Sequence, residues 1–196
     1  MNTANILAQI NRHISLDEHE SLYFTSLLIY AKIKQGDYLE TAGVITQNFI
    51  HVESGCLMSY YTDKGGDDHV IQFSTSGWWT GDLHSFTKNQ PAVYSTRALT
   101  DSSVFYLLKS DMDQLLERYP KFERYFRILF QNALITQVDR IIHSFSDTAE
   151  DRYEQFQQKY PSLQQYVPLK CIASYLGITP EFLSKIRKRQ MEKWIS

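Results

Sequence analysis

From Lys121 to Phe145 the chain runs about 25 residues without a glycine or a proline. Its apolar residues Phe122, Phe126, Leu129, Ala133, Leu134, Val138, Ile141 and Phe145 recur every three or four positions. That spacing places them on one side of an α-helix. At 1.5 Å per residue the helix is roughly 37 Å long. Such a helix outreaches a small sheet, although its apolar faces could also both lie over one. The sequence therefore predicts a long helix over about 121–145 that pairs with its twin in a homodimer.

Upstream the period changes. Phe49-Ile50-His51-Val52 is followed by Ser54-Gly55, Leu57 to Tyr61 by Asp63-Lys64-Gly65-Gly66, and His69 to Phe73 by Ser76-Gly77. Val104 to Leu108 closes the block. Short strands punctuated by Gly and Asp predict an antiparallel sandwich or small barrel. Two short helices should precede it, one over Ile6 to Ile14 and one capped by Ser15 with Glu18 three residues on. Ser110-Asp111 is expected to cap a helix that Pro120 breaks. Asp147-Thr148-Ala149-Glu150 has an acidic capping-box spacing, so another helix should begin there, with Ser146-Asp147 as the hinge. The expected organisation is thus 1–146 as one unit and 147–196 as a second.

Net charge is only -2, but its distribution is uneven. Residues 1–110 carry 7 Lys/Arg against 11 Asp/Glu, whereas 168–196 carry 6 against 2. A basic end on a mildly acidic body points to a polyanionic partner. Cys56 and Cys171 are too far apart for a metal-type spacing, and no disulfide framework is expected. No run of about 18 apolar residues predicts a membrane span. The N-terminal residues lack the layout of a secretory signal. A reduced, cytoplasmic protein with no membrane partner is expected.

The basic end contains the most specific pattern. In Pro168 to Arg189, Leu169, Ile172, Ala173 and Leu176 mark one helix, and Gly177 supplies a left-handed turn. Thr179 caps a second helix, and Pro180 sits in its first turn, where the missing N–H costs nothing. Phe182, Leu183 and Ile186 are expected to face inward. That leaves Glu181, Ser184, Lys185, Lys188 and Arg189 outside, with Arg187 toward a flank. Short polar groups near a helix start, with cations along its sides, suit the major groove of DNA. Glu181, Ser184 and Lys185 are the expected base readers. Lys170, Thr179, Arg187, Lys188 and Arg189 are the expected phosphate contacts.

This order of parts resembles the Crp/Fnr family of bacterial transcription regulators. Further points of similarity are Lys34-Gln35-Gly36-Asp37-Tyr38-Leu39, Val52-Glu53-Ser54-Gly55, and Gly81-Asp82-Leu83 followed by Arg97-Ala98. The resemblance implies an α+β fold: an N-terminal antiparallel β-roll (the cyclic-nucleotide-binding-like double-stranded β-helix), a long dimerisation helix and a C-terminal helix-turn-helix domain. It also implies a homodimer on a palindromic double-stranded DNA operator, with RNA polymerase as a further partner, and no enzymatic activity. Nucleotide-binding members carry Gly-Glu-Leu and then an Arg-Ser-Ala run that pairs with the cyclic phosphate. Here the effector pocket reads Gly81, Asp82, Leu83, then Ala92 and Val93, with Ala92 where the arginine belongs. Arg97 is displaced by five residues, an odd offset that places it on the opposite strand face. Cyclic AMP is therefore not the expected effector, and its true effector is left open.

Two alternatives stand beside that reading: a cyclic-nucleotide-responsive regulator using Arg97, and a cupin-like metalloenzyme. The latter needs clustered His and carboxylate ligands, and no His-x-His pair is present. No cofactor or metal is expected, and two cysteines cannot supply the four thiolates of an iron–sulfur cluster. His51, His69 and His84 read as surface or turn residues. Tyr60, Tyr61, Phe73, Trp78, Trp79, Phe86 and Tyr94 could line an apolar ligand site or serve as plain core.

Overall fold

The computed structural model describes residues 3–195, with side chains through Glu192. Met1 and Asn2, from the stretch read for a signal, lie outside the described residues, as does Ser196. Two antiparallel four-stranded sheets face each other. One runs in the order β1 (Leu28–Ile33), β8 (Ser102–Leu108), β3 (Asn48–Ser54), β6 (Trp79–Thr80). The other runs β2 (Tyr38–Glu40), β7 (Ser95–Ala98), β4 (Cys56–Thr62), β5 (Asp68–Thr75). Ile50, Val52, Leu57, Ala98 and Val104 fill the space between them. This is the expected roll.

Helices cover both outer faces, which explains why the strands read as short apolar runs rather than alternating patterns. On the first sheet lie α1 (Ala4–Asn11), α2 (Glu18–Ser26), α4 (Lys109–Arg118) and the first third of α5 (Lys121–Ser146). Ile10, Phe24, Phe49, Trp79, Phe105, Leu115, Phe122 and Phe126 form their common core. Trp79 donates its indole N–H to the Tyr125 hydroxyl at 2.9 Å, pinning α5 to the sheet. On the second sheet lie α6 (Ala149–Lys159), α7 (Leu169–Leu176) and α8 (Pro180–Ile195). Met58, Tyr60, Val70 and Phe73 share one core there with Phe156, Tyr160, Ile172, Leu176, Leu183 and Ile186. A six-residue helix, α3 (Leu83–Lys88), bridges β6 and β7.

Several expectations shift. Asp17, not Ser15, caps α2: it accepts from Glu20 N at 2.8 Å while Glu20 accepts from Asp17 N at 2.8 Å. Likewise Thr148, not Asp147, caps α6 in a box with Asp151. Asp147 instead bonds His143 and Gln155. Nothing caps α4, which follows directly from β8. Strands β1, β2, β6 and β7 escaped the sequence reading, since two to six residues carry little pattern of their own.

His51 is neither a surface nor a turn residue. It sits on the outer face of β3 against Trp79 and Phe105, with no exposure. Its Nε2 lies 3.3 Å from Gln9 Oε1, and its buried Nδ1 has no hydrogen-bond partner among the described residues. Burial holds its pKa down to about 4. Between that value and 6.5 the unfolded chain binds a proton that the folded chain refuses, so acidification removes stability. A 2.5-unit gap corresponds to about 3 kcal/mol. Chemical denaturation from pH 7 to pH 4 should show this loss in the native protein. His51→Phe, which keeps the ring and drops the titration, should lose about 3 kcal/mol less over the same interval.

Candidate nucleic-acid interface and effector pocket

The C-terminal pair of helices is built as its residues dictate. Gly177 ends α7 in the left-handed conformation at φ 69°, where a side chain would be strained. The Thr179 hydroxyl accepts from Phe182 N at 3.2 Å, capping α8. Leu183 and Ile186 are fully buried against Ala173 and Ile172, so α8 has a fixed inner face. Phe182 departs from expectation. It is 38% exposed and flanks that face rather than entering the core.

Of the expected base readers, Glu181, Ser184 and Lys185 are all exposed on α8. The Ser184 hydroxyl donates to Pro180 O at 2.9 Å, which leaves its oxygen free to accept. Lys188 is exposed, with only a loose 4.0 Å pairing to Glu192, and Lys170 and Thr179 are exposed beside them. Arg189 is already engaged, bonding Glu150 of α6 at 2.9 Å. Arg187 is half-buried near Tyr153.

On α5 the apolar stripe divides in two. Phe122, Tyr125 and Phe126 are buried on the roll. Leu134, Ile135, Val138, Ile141, Ile142 and Phe145 are exposed, Phe145 to 84%. Ile135, Val138, Ile142 and Phe145 follow the 3-4 spacing of a coiled-coil seam, with Ile at the a positions and Val and Phe at d. Six large apolar side chains on one stretch of helix form an unpartnered strip.

Inside the roll, the Gly81-Asp82-Leu83 segment brings two of the protein's own carboxylates together. Asp82, 1% exposed, caps α3 through Ser85 N at 3.0 Å. Its other oxygen accepts from Val93 N at 2.6 Å and Tyr94 N at 3.3 Å. Beside it, buried Glu40 accepts from Asp82 N at 3.2 Å and Thr96 Oγ1 at 2.9 Å. Burial raises the Glu40 pKa, with the Asp82 charge adding to the effect. Tyr94 donates its hydroxyl to Gly81 O at 2.8 Å, and burial and the two carboxylates raise its pKa. Ala92 is buried and offers no charge, while Leu83 and Val93 are exposed. Glu40 was not singled out in the sequence; nothing local marks a buried glutamate at the end of a three-residue strand.

Arg97 points away from this site. Thr96 faces the roll interior, so its neighbour faces out, where the guanidinium lies 5.2 Å from the Tyr60 ring centre and beside Cys171 of α7. The aromatic set is mostly structural. Tyr60 and Phe73 join the core under the C-terminal helices, Trp79 and Phe86 join the opposite core, and Tyr61 is exposed. Arg140 was also missed. It clamps the Ile71 carbonyl, Val70 O at 3.1 Å and Tyr175 O at 3.0 Å, with its guanidinium 4.2 Å from the Tyr175 ring centre. Ser174 adds a second tie, accepting from Val70 N and donating to Asp68 O, each at 2.9 Å. Among the described residues no three His, Cys, Asp or Glu side chains converge on a metal position, and no helix is long and apolar enough to cross a membrane.

Comparison with known proteins places this geometry. Residues 31–119 match the family model of the cyclic nucleotide-binding domain. No curated protein sequence matches the chain. FixK2 from Bradyrhizobium japonicum superposes with a TM-score of 0.75 at 17% identity, covering 86% of each chain. The c-di-GMP-responsive global regulator CLP of Xanthomonas campestris gives 0.72 at 13% identity, covering 90% of this chain and 93% of that one. The Thermus thermophilus catabolite activator protein gives 0.57 at 19% identity, covering 94% and 87%. At these identities the shared property is the fold.

The Asp82 arrangement has a measurable consequence. Asp82→Ala strips the acceptor from three backbone N–H groups, a loss of about 3 kcal/mol in denaturant unfolding. Asp82→Asn retains one acceptor oxygen and should lose less.

Proposed function

We propose that this chain, which carries a cyclic nucleotide-binding domain over residues 31–119 and has the fold of the Crp/Fnr regulators, is a homodimeric, sequence-specific DNA-binding transcription regulator that does not respond to cyclic AMP. The observation that carries the reading is the division of α8. Leu183 and Ile186 are wholly buried, while Glu181, Ser184, Lys185 and Lys188 project outward together. In the major groove Glu181 accepts from a cytosine amino group, Lys185 reaches guanine, and Ser184 serves either base edge. Lys170, Thr179 and Lys188 hold phosphates, joined by Arg187 at the flank and by Arg189 once it exchanges Glu150 for a phosphate. The unpartnered seam at Ile135, Val138, Ile142 and Phe145 supports parallel pairing with the same helix of a second copy, because apolar residues at 3-4 spacing bury against a matching seam. Two parallel copies present two reading helices, which suits a palindromic operator. RNA polymerase is the downstream partner, in a cytoplasm that keeps Cys56 and Cys171 reduced.

The carboxylate-filled end of the roll supports the second part. An incoming cyclic phosphate meets Asp82 and Glu40 with no cation opposite, since Ala92 is neutral and Arg97 faces outward. An anion buried beside two carboxylates without compensation is strongly disfavoured. Non-enzymatic action fits the same picture, because the residues that cluster here satisfy one another rather than a substrate.

Duplexes selected from a random-sequence pool test the reading by fluorescence anisotropy. Lys185→Ala should weaken the selected duplex by about 1–3 kcal/mol while leaving random DNA nearly unchanged. Lys188→Ala should weaken every duplex alike and lower the salt slope by about one. Equal affinity of the native protein for selected and random duplexes would sink the sequence-specific claim. Ile135→Glu combined with Ile142→Glu should convert the dimer to monomers in sedimentation. Calorimetry with cyclic AMP and cyclic GMP should show no sub-millimolar binding, and saturable heat there would restore a nucleotide-responsive regulator.

A further inference from the structure

A cavity of about 470 Å³ lies outside the roll, where α5 passes between the roll and the C-terminal helices. Its volume is in the range of small-molecule sites. Arg12, Arg140 and Lys159 line it together with the rings of Trp78, Tyr125 and Tyr160. Among the described residues no Asp or Glu lines it. Among the described residues Arg140 is held by neutral carbonyls and the Tyr175 ring and makes no ion pair, so its charge is positioned but not neutralised. The Lys159 ammonium lies 5.3 Å from the Trp78 ring centre and 5.4 Å from that of Tyr160. Burial and the nearby Arg140 charge lower the Lys159 pKa, an effect Asp139 partly offsets. Three cations around one hollow, with the rings of Trp78, Tyr125, Tyr160 and Tyr175 among its walls and amide side chains beside them, match a flat ligand carrying negative charge.

Helical geometry keeps this hollow accessible in the dimer. Leu129, Ala133, Thr136, Gln137 and Arg140 line it from α5. At 100° per residue they occupy the side of the helix opposite Ile135, Val138, Ile142 and Phe145. Pairing of two α5 helices therefore leaves the cavity open.

We propose that this cavity binds a small aromatic anion, meaning a planar ring bearing a carboxylate or a phosphate, and that it is the effector site in place of the roll interior. The anion sits between Lys159, Arg140 and Arg12, and the ring lies against Trp78 and Tyr160. The cavity is shared by the roll, α5, α6 and, through Tyr175, α7. An occupant adds contacts between the C-terminal helices and the roll and so favours the docked arrangement over any other. The effector role rests on the DNA-binding reading above; the binding site itself does not.

Titration of the full-length protein by tryptophan fluorescence, with indole-3-acetate and adenosine 5′-monophosphate as probes, tests it. Indole-3-acetamide and adenosine are the uncharged controls. At least one anion should saturate the signal below about 1 mM, with its neutral analogue about ten-fold weaker. Whichever of the two saturates identifies the carboxylate or the phosphate form. Lys159→Met and Arg12→Met each remove one charge-assisted contact and should weaken binding about ten-fold while circular dichroism stays unchanged. Arg140 is left intact because it holds α7 in place. Lack of saturation with both anions, equal affinity for the neutral analogues, or unaltered titration in both variants overturns the site. Anisotropy on the selected duplex, run with and without the bound probe, separates the two claims. Saturable binding with unchanged duplex affinity overturns the effector role alone. A ligand-free protein that binds no duplex overturns the regulator and leaves the site standing.

Discussion

The structure depends on an apolar joint on the outer face of the β4–β5 hairpin. Met58, Tyr60, Val70 and Phe73 meet Phe156, Tyr160, Ile172 and Leu176 there, in a single core that also carries Leu183 and Ile186 of α8. Units joined by small polar contacts move freely, whereas a joint of buried rings resists separation. The tie from Arg140 to Val70, Ile71 and Tyr175, and the bridge of Ser174 to β5, add direction to an otherwise non-directional contact. The presentation of α8 is therefore set by the roll it rests on, and anything that alters the roll's outer face alters the angle of that helix.

That constraint moves attention from the inside of the roll to its outside. Within it, Asp82 and Glu40 take up the backbone donors of Asp82, Val93 and Tyr94. The price is two buried carboxylates close together, tolerable because Thr96, Ser85, Val93, Tyr94 and the Asp82 amide all donate to them. Outside it, positive charge gathers around a hollow where four parts of the molecule meet. Electrostatics thus run opposite to one another on the two sides of the same sheet.

Much of this architecture was legible in the chain. The long helix ends within one residue of its expected limit, because helix formers without Gly or Pro leave no other choice. The α7–Gly177–α8 turn is equally local, being a left-handed glycine followed by a hydroxyl cap. The outward aim of Arg97 is set within β7, where Thr96 faces inward; Ala92 lies outside that strand, so the five-residue offset from it decides nothing. The caps of α2 and α6 lay two residues and one residue later than expected, since neighbouring Ser, Asp and Thr all qualify and only the surrounding contacts choose among them. His51 was misplaced because a strand buried on both faces has no polar side to warn of it.

The chain by itself determined its local forms: which stretches are helices, where α8 is capped, and which side chains that helix leaves outside. These follow from residue-level preferences for backbone angles and from the spacing of apolar positions. Tertiary structure alone decided that Asp82 would collect the amides of Ser85, Val93 and Tyr94, that Glu40 would lie beside it, and that Arg140 would span the roll and α7. Each of those outcomes depends on partners tens of residues away, and an ionic or hydrogen-bonding role has no period that a sequence could display.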